Sequence, residues 1–407
     1  MITKTVSPAW TIGAMFLATV LGMTGIVAYP ALVPTFQREW ALSSAAAGWI
    51  SGVYFAGYVA AVPFLSALTD RIDARRIVLF GMAISAVAPL GFALSASGLA
   101  SASIWWGLQG IGFAGIYMPG LKVLSDRVPF RARDRATAIF TATFTVGVGI
   151  SFTLIGWLAD LYGWRSAFAA IALGPVAGFA LVWFLVAAKL PAPAPDAPRV
   201  LFDFRPVFGN RRALAYSIAY AAHNGESAVM RAWIVALLVF AQAQPGAHGF
   251  GSAWAPTSIA TAMTLLGLPA ILLASELTRM FDRRIVIAAF MIGSALTGIA
   301  VAVATQAAFG VLFALVCFYG MIVSGDSGIL NAGLLARAEP GRQGASMAVH
   351  ALFGFTAAFI MPFVFGAVLD VAGGAGSATA WLCAFGALAV LIAIGPAALF
   401  ALDKEPD

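Results

Sequence analysis

Long apolar runs alternate with short polar segments from one end of the chain to the other. A helix needs about 20 apolar residues to cross the hydrocarbon core of a bilayer. Runs of that length fall near residues 8–33, 44–68, 76–98, 101–125, 134–160 and 164–188. A second set falls near 211–241, 253–277, 284–305, 307–335, 344–370 and 376–402. The pattern predicts an all-α membrane protein with twelve transmembrane helices, six in each half. Between the sets, the segment from Leu190 to Pro198 is so rich in proline that it reads as an extended linker. The expected organisation is a six-helix bundle over 1–188, a linker over 189–210 and a second six-helix bundle over 211–407. The first ten residues lead straight into apolar sequence without a short core and small-residue cleavage site, so the first span is expected to be retained.

Composition strengthens this reading. The chain is 61% hydrophobic and only 10% charged, whereas a soluble domain carries about 25% charged residues. So few charges cannot cover the surface of a soluble protein, and lipid is the apolar solvent that accommodates the rest. The 42 glycines suit helices that approach closely through small residues. Cys317 and Cys383 lie inside apolar runs and read as small core residues. With three histidines and no Cys/His cluster, neither a disulfide framework nor a zinc site is expected.

The net charge of +6 could suggest nucleic acid, but the positions of the charges argue otherwise. If both termini face one side, that side receives Lys4, Arg71, Arg75, Arg76, the arginines from 127 to 135, and the basic residues from Lys189 to Arg212. It also receives Arg279, Arg283, Arg284, Arg337, Arg342 and Lys404, while the opposite side holds only Arg38 and Arg165. Basic loops mark the cytoplasmic face. The termini and linker are therefore expected in the cytoplasm of a cell with the chain in its inner (plasma) membrane, and no nucleic acid is needed. Lys122 and Arg231 remain inside spans.

Two segments about 210 residues apart look alike. Ser66-Ala-Leu-Thr-Asp70-Arg71-Ile-Asp73-Ala-Arg75-Arg76 follows the second span of the first set. Ser275-Glu-Leu-Thr-Arg279-Met-Phe-Asp282-Arg283-Arg284 follows the second span of the other. Gly156-Trp-Leu-Ala-Asp160 and Gly366-Ala-Val-Leu-Asp370 likewise end the fifth and eleventh spans. Duplicated six-helix halves give this spacing, and such halves place a substrate site near the membrane midplane.

Over essentially its whole length the sequence resembles the major facilitator superfamily of secondary transporters. The segment from Asp70 to Arg76 is similar to that family's loop motif between helices two and three, with Ser66 and Asp73 where the motif has glycines. The resemblance implies a helix-capping role for Asp70 and a gating role for Arg71, Arg75 and Arg76, which would hold the cytoplasmic side closed. A carboxylate near helix N-termini and an arginine cluster suit such breakable latches. Trp106 stands where proton-coupled drug exporters often carry arginine, and Ser151-Phe152 where their fifth-helix motif has glycine-proline. The second and eighth spans lack the arginines of nitrate porters. Among subfamilies the sequence is most similar to cyanate-permease-like importers of small organic compounds. The resemblance implies a working monomer and places helices one, four, seven and ten around the substrate.

Ionisable groups inside spans cost about 2.5–3.5 kcal/mol each and normally face a cavity or a partner. The seventh span carries His223, Glu226, Met230 and Arg231; the first three share a helical face. Asn224-Gly225 is expected to weaken that helix locally. The tenth span adds Asp326, between Gly325 and Gly328, and Asn331; the eleventh adds Met347 and His350. Gln109, Tyr117 and Lys122 are their counterparts on the fourth span.

These groups form the expected substrate-binding and proton-coupling set. A carboxyl group in a low dielectric can hold a proton at physiological pH, so Glu226 or Asp326 is the expected proton carrier. Arg231 and Lys122 would attract an organic anion. The blander readings are a Glu226–Arg231 ion pair, Asp326 as a cap, His350 in packing, and Lys122 snorkelling beside Asp126. The expected function is proton-coupled import of a small organic anion, with no cofactor beyond the coupling proton. The alternatives are a proton-coupled exporter of drugs or metabolites, a copper importer using the histidines and methionines, and a non-transporting receptor. No HExxH, GxSxG or catalytic aspartate pair appears, so an enzyme is not expected.

Overall fold

The computed structural model describes residues 8–189, 205–339 and 342–403, and among them every regular element is a helix. In chain order these are α1 Pro8–Gly22, α2 Ala28–Ala31, α3 Val33–Glu39, α4 Ser44–Leu68, α5 Ala74–Ser95, α6 Leu99–Arg127, α7 Phe130–Ile171 and α8 Leu173–Leu185. There follow α9 Arg205–Gly209, α10 Arg211–Gln242, α11 Pro256–Leu277, α12 Arg283–Ala304, α13 Phe309–Arg337, α14 Gln343–Val371 and α15 Ala378–Leu402. Lys4, Lys404, Arg199 and most of the expected linker lie outside the described residues.

Nine of the described helices are long and apolar enough to cross a membrane. One of them, Phe130–Leu185, holds both the fifth and the sixth expected spans. Inside it the backbone turns at Gly163, with φ 76° and ψ 161°, a conformation glycine adopts without a Cβ clash. The first span falls short because it is broken after Gly22. The fourth, α6, is not among the nine, although it is long. It carries Ser101, Ser103, Gln109, Lys122, Ser125 and Asp126, which dilute its apolar character.

The chain divides into two compact units. One contains Met1–Tyr29 and Val53–Pro198, the other Pro30–Gly52 and Arg199–Asp407. The sequence placed residues 30–52 with the first half; in the structure they group with the second unit. The reason is local. The Asp370 carboxylate, at the end of α14, accepts hydrogen bonds at 2.8 Å from the Ser44 and Ala45 amides. These are orphan donors at the start of α4. A side chain at Gly48 or Gly52 would collide with the Pro362 or Phe359 carbonyl. Trp49 packs edge-on against Phe359 at 5.3 Å. Asp370, given no chemistry from the sequence, therefore caps this helix.

At the basic end of the first unit, Asp73 is the hub. It caps α5 by accepting from the Arg75 amide at 3.0 Å. It also accepts from Arg127 at 2.7 Å and from the Lys189 amide at 2.8 Å. Burial alone would raise the Asp73 carboxyl, but the Lys189 amide, the Arg127 guanidinium and the Arg75 amide outweigh it and hold the group below its ordinary value. Arg75 reaches the other way. It donates to the Val182 carbonyl at 3.2 Å and the Trp183 carbonyl at 2.5 Å, near the end of α8, and lies over the Trp183 ring. Asp70, Arg71 and Arg76 are exposed. Asp73, at a position where the motif has glycine, caps α5 because it immediately precedes that helix's first turn.

Replacing Asp73 with alanine strands a buried Arg127, and is expected to destabilise the protein by about 3 kcal/mol. The sign with pH follows from the lowered carboxyl. Its contribution is fully present above the ordinary carboxylate range and is lost as pH falls through the folded-state value. Thermal unfolding from pH 7 down to pH 3 should show wild type and D73A converging at the acid end. A constant gap would contradict the assignment.

The second unit repeats this device with a different acid. Asp282 caps α12 through the Arg284 amide, as Asp73 caps α5. Arg337, which ends α13 as Arg127 ends α6, instead meets Asp403 at 2.9 Å, at the C-cap of α15. Arg212 joins at 2.9 Å, the Tyr216 hydroxyl donates at 3.2 Å, and Arg284 donates to the Asp403 carbonyl at 2.7 Å.

Candidate transport site

In the second unit, α10 and α13 run antiparallel and bring the predicted ionisable residues together. Helix α10 is unbroken from Arg211 to Gln242, which corrects the expected weakness at Asn224-Gly225. Gly225 instead admits the Met361 side chain against the helix backbone. Tertiary packing overrides the local propensity.

His223 Nδ1 lies 2.8 Å from Asp326 Oδ1, with both residues buried. The two atoms are close but off the line of a hydrogen bond, so the contact is electrostatic rather than a fixed proton bridge. One turn along α10, the Glu226 carboxylate, 2% exposed, accepts from Tyr319 at 2.8 Å and Ser294 at 3.0 Å. Two carboxyl groups therefore lie in one buried network spanning α10, α12 and α13. The hydroxyls that hold Glu226 are neutral. An ionised carboxylate in apolar surroundings is costly unless paired.

Tyr220 extends the cluster. Its ring stacks on His350 at 3.9 Å and lies 6.1 Å from His223. His350 Nδ1 sits 3.4 Å from the Ser217 hydroxyl. His350, on α14, thus joins the α10 face. Arg231 is half-buried further along the same helix. Asn331 donates to the Ser327 carbonyl of its own helix at 3.0 Å. Met230 is buried and Met347 half-buried. Among the described residues no group of three or more His, Cys, Asp or Glu could hold a metal ion.

The first unit carries a second cluster. Span one breaks between Gly22 and Ala28. The Thr24 hydroxyl donates to the Ile171 carbonyl at 2.9 Å, and the Val27 amide donates to the Ser151 hydroxyl at 3.2 Å. Ser151, noted in the sequence only as a departure from the exporter motif, is a built part of this break. Gln109, on α6, faces the break: a Cβ at Gly25 would lie 3.6 Å from its Nε2. Trp106, one turn earlier on α6, contacts the Tyr29 ring at 5.9 Å and the Tyr54 ring at 5.5 Å. Tyr117 is half-buried and packs on Phe113 and Phe140 at 5.6 and 5.5 Å. Lys122 pairs with Asp126 at 2.5 Å on its own helix, away from this cluster.

Sequence reasoning missed Tyr29, Tyr54 and Ser151 here. The break depends on caps supplied by other helices, which local sequence does not reveal. The signal that could have pointed to it is the polar stripe Ser103, Trp106 and Gln109 at helical spacing on a span too polar to be mere lipid filler.

Comparison with known proteins follows the same lines. The family model of the Major Facilitator Superfamily matches residues 14–257. The multidrug resistance protein Stp of Mycobacterium tuberculosis is 29% identical over 33% of this chain and 25% of its own length. A gallate transporter of Pseudomonas putida is 26% identical over 38% of this chain and 34% of its own. The niacin transporter NiaP of Acinetobacter baylyi is 24% identical over 39% and 35%. The match spans well under two thirds of each of these relatives. None of the three is a cyanate permease, so that finer likeness gains no support from them. A solved bacterial homologue of the human lysosomal transporter Spinster superposes with a TM-score of 0.77 at 16% identity, covering 99% of this chain and 98% of that one. A nucleoside transporter superposes with a TM-score of 0.73 at 14% identity.

Proposed function

The chain belongs to the Major Facilitator Superfamily and is a multi-pass secondary transporter, and from that premise we propose that it carries a small organic anion together with protons into the cell. The observation that carries the coupling is the buried network of α10 and α13. It holds two carboxyl groups, one near a histidine and one held by hydroxyls. Groups of this kind inside a membrane mark proton relays. Arg231, half-buried on the same helix, supports an anionic substrate, since a guanidinium meets a carboxylate with two parallel donors. The basic loops support termini that face the cytoplasm of a bacterial inner membrane. Gating belongs to the same reading. Arg75 already clamps α8, and Asp70, Arg71 and Arg76 lie exposed in the same loop.

A second reading, drug export, rests on the likeness to the multidrug resistance protein. One experiment separates the two. Purified protein is reconstituted into vesicles with an alkaline interior, and the initial rate of radiolabelled benzoate and acetate uptake in excess of that into protein-free vesicles, which take up the protonated acids by permeation, is followed with and without a protonophore. Gradient-driven accumulation of an acid that collapses with protonophore is expected. Uptake indifferent to the protonophore would sink the coupling. Proton-driven extrusion of cationic dyes, with no acid moved, would favour export.

A further inference from the structure

We infer that the first turn of α7 is a docking surface for an anionic phospholipid headgroup, with Phe130 as its apolar anchor and Arg131 and Arg135 as its charged contacts. Residues 127–135 hold four arginines and one acid, Asp134. Arg127 is turned inward, toward Asp73 and the Ala187 carbonyl. The other three arginines are exposed, and so is Phe130, at 82%. The helical register explains this. Ala132, Ala136 and Phe140 recur every four residues and pack into the core of the first unit. Arg131 and Arg135 stand one turn apart beside that stripe, Arg133 flanks its other side, and Phe130 is carried outward. Arg133 donates to the Val128 carbonyl at 3.3 Å and lies over the Phe130 ring, and so steadies the anchor.

Membrane topology alone does not call for this segment, because the duplicated half supplies a control. At an offset of 210 residues Arg127 matches Arg337, but Phe130, Arg131, Arg133 and Arg135 match Pro340, Gly341, Gln343 and Ala345. The basic residues of that loop are Arg337 and Arg342, and Arg342 pairs with Glu339 at 3.5 Å. Depth supplies the partner. The apolar part of α7 begins near residue 134, so at about 1.5 Å per residue Phe130 stands about 6 Å beyond the hydrocarbon edge. The headgroup layer is about 5–7 Å thick on each side. An exposed aromatic ring and basic side chains at that level lie among lipid headgroups. Two guanidiniums one turn apart suit a phosphate that keeps its net charge. Phosphatidylglycerol keeps it, whereas phosphatidylcholine neutralises it with its own ammonium.

The test is lipid binding to the full-length protein, purified in detergent, by native mass spectrometry. The probes are phosphatidylglycerol and phosphatidylcholine with the same acyl chains. Wild type is expected to prefer phosphatidylglycerol by about 25-fold, roughly fivefold for each of the two arginines. The double variant R131Q/R135Q should bind the two lipids alike. Phe130→Ser should weaken both lipids by the same factor. Arg342→Gln, in the matching loop of the other half, should leave the preference as it is in wild type. Equal affinity of wild type for the two lipids overturns the site, and so does a preference that survives in R131Q/R135Q. Displacement of phosphatidylglycerol by millimolar inorganic phosphate would show a site for free anions and overturn the lipid reading. Should a variant fail to fold, a photoactivatable phosphatidylglycerol decides on the wild type. Adducts on residues 128–135 uphold the site, and adducts confined to other segments overturn it.

Discussion

Replacing Asp403 with alanine is expected to lower the thermal midpoint of the protein on the order of 10 °C, the largest stability effect of any single change at its charged ends. The carboxylate is fully buried and meets three groups through its side chain: Arg212, Arg337 and the Tyr216 hydroxyl. Its own backbone carbonyl holds Arg284. Alanine keeps the backbone contact and removes the rest. Two guanidiniums then share a partly buried site without a counter-charge, and breaking a buried pair in this way costs about 3–5 kcal/mol. Asp282 is the control. It is the acid at the repeat position equivalent to Asp73, but it is more exposed and pairs with its neighbour Arg284. Loss of that cap should cost about 1 kcal/mol. Detergent-solubilised D403A and D282A, melted side by side, check the ranking. Equal midpoints would show that Asp403 is not the hub of this end.

The same pair of acids shows what the sequence could reveal. The repeat anchored on Asp70 and Arg279 marked the right loops, since duplicated helices keep their spacing. It did not show that Asp73 and Asp282 cap α5 and α12, because whether an acid caps a given helix depends on its place relative to that helix's first turn. Asp403 was out of reach altogether, because its partners come from α10 and α13, far away in sequence. The spans were legible because lipid demands a long apolar run whatever the neighbours do. The exceptions are instructive. Span one breaks where Thr24 and Val27 find partners on other helices, and α10 stays whole where Asn224-Gly225 looked weak. Both outcomes are set by tertiary contacts. Among the site residues, His223, Glu226 and Asp326 stood out because charge inside a span is rare. Tyr29, Tyr54 and Trp106 did not, since aromatic residues in a membrane helix read as ordinary packing until the tertiary structure brings them together.

Replacing Glu226 with glutamine is expected to abolish proton-driven accumulation while leaving the fold intact. Glutamine has nearly the same shape, and its amide can keep contact with both hydroxyls, Tyr319 and Ser294. Alanine would be a poorer choice, because it leaves a void and two buried hydroxyls unpaired. What glutamine cannot do is take up and release a proton. A coupled transporter lacking its carrier can still exchange substrate for substrate, since that half of the cycle moves no net proton. The diagnostic is therefore a split between two assays on the same vesicles. Gradient-driven uptake should fall by about a hundredfold, equivalent to roughly 2.7 kcal/mol of lost driving interaction, while counterflow of labelled against unlabelled substrate persists near the wild-type rate. Loss of both would make Glu226 structural or part of the substrate site. Retention of both would transfer the carrier role to Asp326 beside His223, where Asp326→Asn, measured in the same two assays, should then produce the split.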